Sequence, residues 1–386
     1  MPIRNRFAEL HDEITAWRRD LHAHPELQFD THRTSAFVAE KLQEFGCDEV
    51  VTGIGRTGVV GIINGREAGR TVGLRADMDA LPILEETGVE YASTEPGKMH
   101  ACGHDGHTAM LLGAAKYLSE TRNFSGRVAI IFQPAEEGGG GGREMCADGM
   151  MDRFSIDEVY GMHNVPGMDA GTFAIRPGAF YASTDELHIS VKGHGGHAAQ
   201  PHQTVDATYV AAQIVVGLQS IVSRNVDPVK MAVVSVTTFL TKTDSFNVIS
   251  EEVELKGTIR TLDSETRELV REKVAEVAGG IAVAHGAEAN VGIQPGYPVV
   301  FNAAKETTFA AEAAENVAGN CGEAPIYMWG EDFSYMLEER PGAYIHMGIG
   351  EAAPLHHPAY NFNDEAIPAG CSYWVELAES RLPLAN

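Results

Sequence analysis

Between residues 183 and 294 the chain runs through six short periodic segments in the order strand, helix, strand, strand, helix, strand, and few folds accept that order. Residues 186–192, 231–240, 253–259 and 289–294 have strand length, while 205–222 and 264–285 place apolar residues at helical spacing. The βαββαβ order predicts one sheet with two helices on a single face, a self-contained, ferredoxin-like α+β domain. The flanking sequence has a different texture. Strand-length runs at 58–63, 71–76, 128–132 and 159–163 alternate with helical stretches at 107–120 and 143–151, and a further helix is expected at 305–318. That alternation predicts an α/β domain, a mixed or mostly parallel sheet flanked by helices. Because 386 residues exceed what one core usually organises, the expected division is a discontinuous α/β domain, 1–182 and 295–386, with 183–294 inserted into it. At the start, Phe7, Leu10, Ile14, Trp17 and Leu21 predict an amphipathic helix ending near Pro25, and a second helix over 34–45 stops at Gly46.

Composition narrows the function by exclusion. A net charge of -25 sets the chain against nucleic acid and anionic membranes, which select clustered Lys and Arg. The hydrophobic fraction of 44% contains no apolar run near the roughly 18 residues of a membrane span. Cys47, Cys102, Cys146, Cys321 and Cys371 show no disulfide-framework spacing and read as reduced thiols. Arg4, Arg6, Glu9, Asp12 and Glu13 put charge where a secretory signal is apolar, so the expected location is the cytoplasm.

The chemistry concentrates in Met99-His100-Ala101-Cys102-Gly103-His104-Asp105-Gly106-His107. A thiolate among imidazoles is a donor set for a divalent transition ion. In an extended segment alternate side chains share a face, which predicts His100, Cys102 and His104 directed at one site. The alternative reading of the stretch is a loop start in which Asp105 caps the helix that follows. Asp77 and Asp79 stand at the end of a strand, where they either orient a metal-bound His or bond their own turn. Glu136 and Glu137 follow the 128–132 strand and precede five glycines. Neighbouring side chains diverge, so one Glu can ligate while the other faces the substrate as a base. The glycines lack the GxxxxGK[ST] pattern of a phosphate loop. His163, at a strand end, and His356, in Leu355-His356-His357-Pro358, gain meaning only beside these clusters.

Arg18-Arg19-Asp20-Leu21-His22-Ala23-His24-Pro25-Glu26, RADMDALP at 75–82, MHACGHDGHTAML at 99–111, PAEEGGGG at 134–141, GMHN at 161–164, GHGGHAAQPH at 193–202, Gly330-Glu331-Asp332-Phe333-Ser334 and LHHPAYNFND at 355–364 follow one another along the chain. Together these motifs resemble the M20 metallopeptidase family, in its branch of hippurate hydrolases, N-acyl-amino-acid amidohydrolases and auxin-conjugate hydrolases. The resemblance implies two divalent ions per subunit (Zn, Mn, Co or Ni) held by Cys102, His104, Glu137, His163 and His356. It implies Glu136 as general base and Asp79 as the carboxylate that orients a ligand. His197, Asn247 and Arg260 of the inserted domain are implied to reach the substrate, His197 with a catalytic role. Asp77 stands where related peptidases carry a ligating His, and the resemblance passes that task to Cys102 and His104. His194 and Ser250 stand where the family pattern has Lys and Pro.

The expected enzyme therefore pairs a catalytic α/β domain with an inserted lid and dimerisation domain. Its expected reaction is hydrolysis of the amide of an N-acyl-amino acid, hippurate-like or N-acetylated, to a carboxylic acid and a free amino acid. A peptidase on short peptides and a deacetylase of an N-acetylated diamino acid are the alternatives within enzymes. An inactive metal-binding scaffold is the alternative outside them, though both glutamates and all five ligand positions are filled. The expected partners are the small substrate and a second copy of the chain, docked through the inserted domain, with no nucleic acid and no membrane.

Overall fold

The computed structural model describes residues 5–385, so the charge at Arg4 lies outside the described residues. Two compact units divide the chain. One comprises Met1–Phe180, Phe301–Pro325 and Asp332–Asn386; the other comprises Tyr181–Val300 and Ile326–Glu331.

The first unit is an α/β structure around an eight-stranded sheet. Its early elements are α1 (Asn5–Ala23), α2 (His32–Glu44), β1 (Glu49–Ile54), β2 (Gly58–Asn64), β3 (Glu67–Asp77), α3 (His104–Thr121), β4 (Ser125–Gln133), α4 (Gly141–Ala147), α5 (Met150–Arg153), β5 (Glu158–Val165), β6 (Phe173–Ile175) and β7 (Gly178–Tyr181). The five apolar positions of the first helix are its buried stripe, and it ends just before Pro25. The single helix expected at 143–151 is two, because Gly149 adopts φ +74° and turns the chain between α4 and α5.

The second unit contains β8 (Ser183–Lys192), β9 (Gly196–His197), α6 (Ala207–Ser220), β10 (Ala232–Thr241), β11 (Val248–Ile249), β12 (Glu252–Thr261), α7 (Ser264–Ala284) and β13 (Glu288–Pro295). Its main sheet has the order β10-β12-β8-β13, antiparallel throughout. Leu187, Ile189 and Val191 alternate along β8 and pack with Val210 and Ile214 of α6 and Val270 and Val274 of α7. Glu186, His188 and Lys192 occupy the opposite, exposed face. Both helices start on an aspartate: Asp206 accepts from the backbone N–H of Thr208 and Tyr209, and Asp263 from that of Thr266.

The remaining elements are β14 (Val300–Asn302), α8 (Ala304–Ala318), β15 (Gly322–Glu323), α9 (Ser334–Glu339), β16 (Gly342–Gly348) and α10 (Ile367–Arg381). They complete the large sheet in the order β1-β2-β4-β3-β5-β16-β6-β15. β4, β3, β5 and β16 are mutually parallel, whereas β1, β2 and β6 pair antiparallel, so the sheet is mixed. Val72, Leu74 and Ala76 share a core with residues of α1, α3, α8 and α10. The expected fold class is the one observed.

The two faces of β8 give a test of this packing. Ile189→Ala removes fully buried methyls and should cost about 2–4 kcal/mol, whereas His188→Ala on the solvent face should stay within about 0.5 kcal/mol. Chemical denaturation of both variants checks the pair; equal losses would contradict the assignment of the faces.

Candidate metal centre

The parallel strands β3, β4 and β5 carry their functional residues at their carboxyl ends, where ligands collect in α/β sheets. Asp77 is the last residue of β3, Glu136 and Glu137 follow the end of β4, and His163 lies near the end of β5. The ligand atoms of Cys102, His104 and His163 lie within 4.8 Å of one another, as do those of Cys102, Glu137 and His356, and those of His104, Glu136 and Glu137. Six residues singled out in the sequence thus converge in three overlapping groups.

Local geometry explains the convergence and changes part of the expectation. The chain is not extended through His104; that residue opens α3, after Gly103 has turned the backbone at φ +88°. A Cβ at Gly103 would sit 2.3 Å from Asn164 Nδ2 and 2.5 Å from the Tyr360 hydroxyl, so only glycine fits. The turn separates His100 from the cluster. Its buried ring packs 6.4 Å from that of His22, with both nitrogens unpartnered, and burial pushes its pKa down to about 3. Asp79 also differs in detail. His104 Nδ1 donates to its backbone carbonyl at 2.8 Å, while the nearer carboxylate oxygen stands at 3.6 Å. The Asp79 carboxylate instead accepts the backbone N–H groups of Glu136 at 2.9 Å and Glu137 at 3.1 Å, fixing the turn that presents both glutamates. Asp77 spends one oxygen on Arg75 at 2.9 Å and the other on His107 Nδ1 at 2.6 Å.

The electrostatics favour a cation. Burial alone would lower the His104 pKa, but Asp77 and Asp79 raise it to about 10. Burial would likewise raise Asp77, yet His104, His107 and Arg75 hold it well below the usual carboxylate range. Burial, with Glu137 and Glu136 beside it, pushes the Cys102 thiol well up, and burial keeps His163 neutral by lowering its pKa. Burial also works against ionised Glu137, but the hydrogen bond from His356, whose Nε2 is 3.2 Å away, keeps its pKa below the ordinary value. His104 Nε2 is buried without a hydrogen-bond partner. A thiol, three imidazoles and two carboxylates around an unpartnered nitrogen fit a divalent ion.

The N-terminal Arg-Arg-Asp-Leu-His motif anchors the first turn of α3. Arg18, fully buried, bonds Asp364 at 2.7 and 3.0 Å and Asp105 at 3.4 Å. His22 donates to Asp105 at 2.8 Å and to Glu85 at 3.2 Å. Asp105 is therefore an ion-pair partner, and no side chain caps this helix. In the second unit, His197 is exposed on β9 and accepts the Ala199 N–H, and the Asn247 carbonyl accepts that of Ala198 at 3.0 Å. Arg260 is half-buried on β12 and donates to the Ile259 carbonyl and the Thr258 hydroxyl.

Comparison with known proteins gives this constellation a family. Residues 73–380 match peptidase family M20/M25/M40. The chain belongs to that family. This M20 member is 42% identical over 374 residues to a hippurate hydrolase of Campylobacter jejuni, covering 96% of this chain and 97% of that one. It is 46% identical over 296 residues to an N-acyl-L-amino acid amidohydrolase of Geobacillus stearothermophilus, covering 76% and 79%. A dinuclear metal-binding peptidase of the M20 family from Bacillus subtilis superposes with a TM-score of 0.86 at 37% identity, over 97% of this chain and 99% of that structure. The M20 member is a metal-dependent amidohydrolase.

Sequence reasoning gave no role to His107, Asn164 and Tyr360, although all three lie in its motifs; they are buried against the segments that carry the candidate ligands. The i, i+3 spacing of His104 and His107 on a helix was a pointer to the first of them.

His22 generates a pH prediction. Burial opposes its charge, but the hydrogen bonds to Asp105 and Glu85 raise its pKa from 6.5 to about 9. Because the folded value lies above the unfolded one, its stabilisation is fully present below pH 6.5 and lost as pH rises through about 9. Metal-free protein should lose stability across that window, and His22→Gln should flatten the profile. Melting temperatures from pH 6 to 10 read this out, and parallel profiles for both proteins would refute it.

Proposed function

We propose that this chain hydrolyses N-acyl-amino acids, with a hippurate-like or N-acetylated substrate, at a two-ion centre whose ligands are Cys102, His104, Glu137, His163 and His356. The observation that carries the reading is the meeting of one thiol, three imidazoles and two adjacent glutamates at the carboxyl ends of parallel strands. Zinc, manganese, cobalt and nickel all accept this donor set. The chemistry the ions supply when bound is polarisation of the scissile carbonyl and a lower pKa for the attacking water.

The chain's own residues do the rest. Glu136 takes the proton from the attacking water and returns it to the leaving amine. The Asp79 carboxylate holds Glu136 in place through its backbone N–H. Glu137 turns to His356 and leaves the base role to its neighbour. On the second unit, the Arg260 guanidinium has the planar fork that binds a carboxylate in two places, and Asn247 and His197 are the accompanying polar contacts, His197 donating to the developing oxyanion. The five free cysteines agree with a cytoplasmic location.

Paired variants test the two glutamates. Glu136→Gln should keep its metal and its KM while kcat falls about 10⁴-fold on hippurate or an N-acetyl-amino acid. Glu137→Gln should lose metal and recover part of its activity in excess metal. Metal stoichiometry measured beside kcat decides, and the reverse pattern exchanges the two roles. The native enzyme should turn over these substrates faster than dipeptides or N-acetylated diamino acids; the opposite ranking would reject the substrate class.

The second copy of the chain docks through the inserted unit in this reading. β10 closes one edge of its sheet, with Phe239 and Leu240 39% and 53% exposed, and pairing would cover both. Light scattering should report a dimer at micromolar concentration; a fully active monomer would remove this assignment.

A further inference from the structure

We propose that Asn164 is a positioning residue of the metal centre, a side chain that ties the segments carrying Cys102, His163 and His356 to each other and to α3. The proposal rests on the ligand set above and extends it to a residue outside that set.

Every polar group of Asn164 is engaged, and the residue is fully buried. Its backbone carbonyl accepts from His163 Nδ1 at 2.7 Å, which places the proton on Nδ1 and leaves the Nε2 lone pair facing Cys102 Sγ at 3.4 Å. Its side-chain Nδ2 donates to the Cys102 carbonyl at 2.6 Å. Nδ2 and the backbone N–H both point at His107 Nε2, at 2.9 and 3.0 Å, so that nitrogen is an acceptor and the His107 proton sits on Nδ1, bonded to Asp77. Oδ1 accepts the Tyr360 hydroxyl at 2.6 Å.

The hydroxyl decides which end of the amide faces Cys102. With Oδ1 committed to Tyr360, only the NH₂ end can meet the Cys102 carbonyl. Tyr360 follows His356 by four residues, in a loop whose His356 N–H also bonds the Ala101 carbonyl at 2.8 Å. The amide therefore holds the His356 loop and the Cys102 turn in one frame. Aspartate at this position would set an oxygen against the Cys102 carbonyl, where no hydrogen bond can form. The glycine at 103 belongs to the same device, since its missing Cβ is what lets Asn164 approach.

Residues that orient metal ligands typically change metal affinity by about 10–100-fold when replaced. The test measures Co(II) dissociation constants on metal-stripped protein, with the thiolate-to-cobalt absorption band reporting Cys102. Tyr360→Phe, which keeps shape and removes one hydroxyl, should weaken Co(II) about 10-fold, and Asn164→Asp about 100-fold, both with a weaker thiolate band. Asn302→Asp is the control. Asn302 is equally buried and bonded to the Arg176 and Tyr344 backbone, so its variant should lower the melting temperature and leave Co(II) affinity unchanged. Should Asn164→Asp fail to fold, Tyr360→Phe decides alone. Native protein that shows the band, with variants binding Co(II) within twofold of it, overturns the proposal and leaves the ligand set standing. Native protein that binds Co(II) without the band removes Cys102 from the ligand set and overturns the proposal with it.

Discussion

Negative charge gathered away from water is the constraint on which the α/β unit depends. Asp77, Asp79, Glu136 and Glu137 lie within a few residues of two strand ends, in a region where an ionised carboxylate needs partners to persist. The chain neutralises most of them itself. Arg75 and His107 compensate Asp77, and two backbone N–H groups occupy Asp79. What is left over draws a proton onto His104, raising its pKa to about 10 through Asp77 and Asp79 against the opposing pull of burial. A divalent ion answers the same excess charge, so the carboxylates that raise the His104 pKa also favour metal binding.

Period located the elements with one wet face and one dry face, and apolar runs of strand length located β2, β4 and β5, which are buried on both faces. β8 alternates between buried positions and positions open to solvent, and α1 shows a single apolar stripe, so period alone located both. β16 is buried throughout as well, but His346 interrupts its short apolar run, and α10, buried at most positions, shows no clear helical period, so the segment after residue 318 gave no strand or helix beforehand. At the site, residue types and adjacency were enough to single out Cys102, His104, Glu136 and Glu137. Direction was not. Gly103 reverses the backbone within one residue and turns the regular alternation of His100, Cys102 and His104 into two separate environments. A backbone carbonyl carries no sequence signature either, so a side-chain reading could not find the bond from His104 to Asp79.

The Arg18 and His22 network shows the same division of labour at longer range. Arg18, His22, Asp105, Glu85 and Asp364 come from α1, α3, an irregular loop and the segment before α10, and each charge is matched inside the protein. Buried ion pairs add little net stability when their desolvation is counted, but removing one partner strands the others. Such a network suits holding one helix terminus in a single place, and that terminus is the turn that starts with His104.

Chain order gives these ties a further meaning. β16 enters the sheet between β5 and β6, although it follows them by the whole inserted unit, and its register pairs Gly342 with Val159. The sheet therefore needs residues from the last third of the chain, and contacts of that separation carry a larger loop-closure cost. His356 and Tyr360 arrive with the same late segment. The Tyr360 hydroxyl then reaches Asn164, 196 residues earlier, and this bond forms only when the late segment sits in the correct register against the early one. The candidate ligand His356 and the Tyr360 hydroxyl that bonds Asn164 thus come from one segment, which follows the strand that completes the parallel part of the sheet.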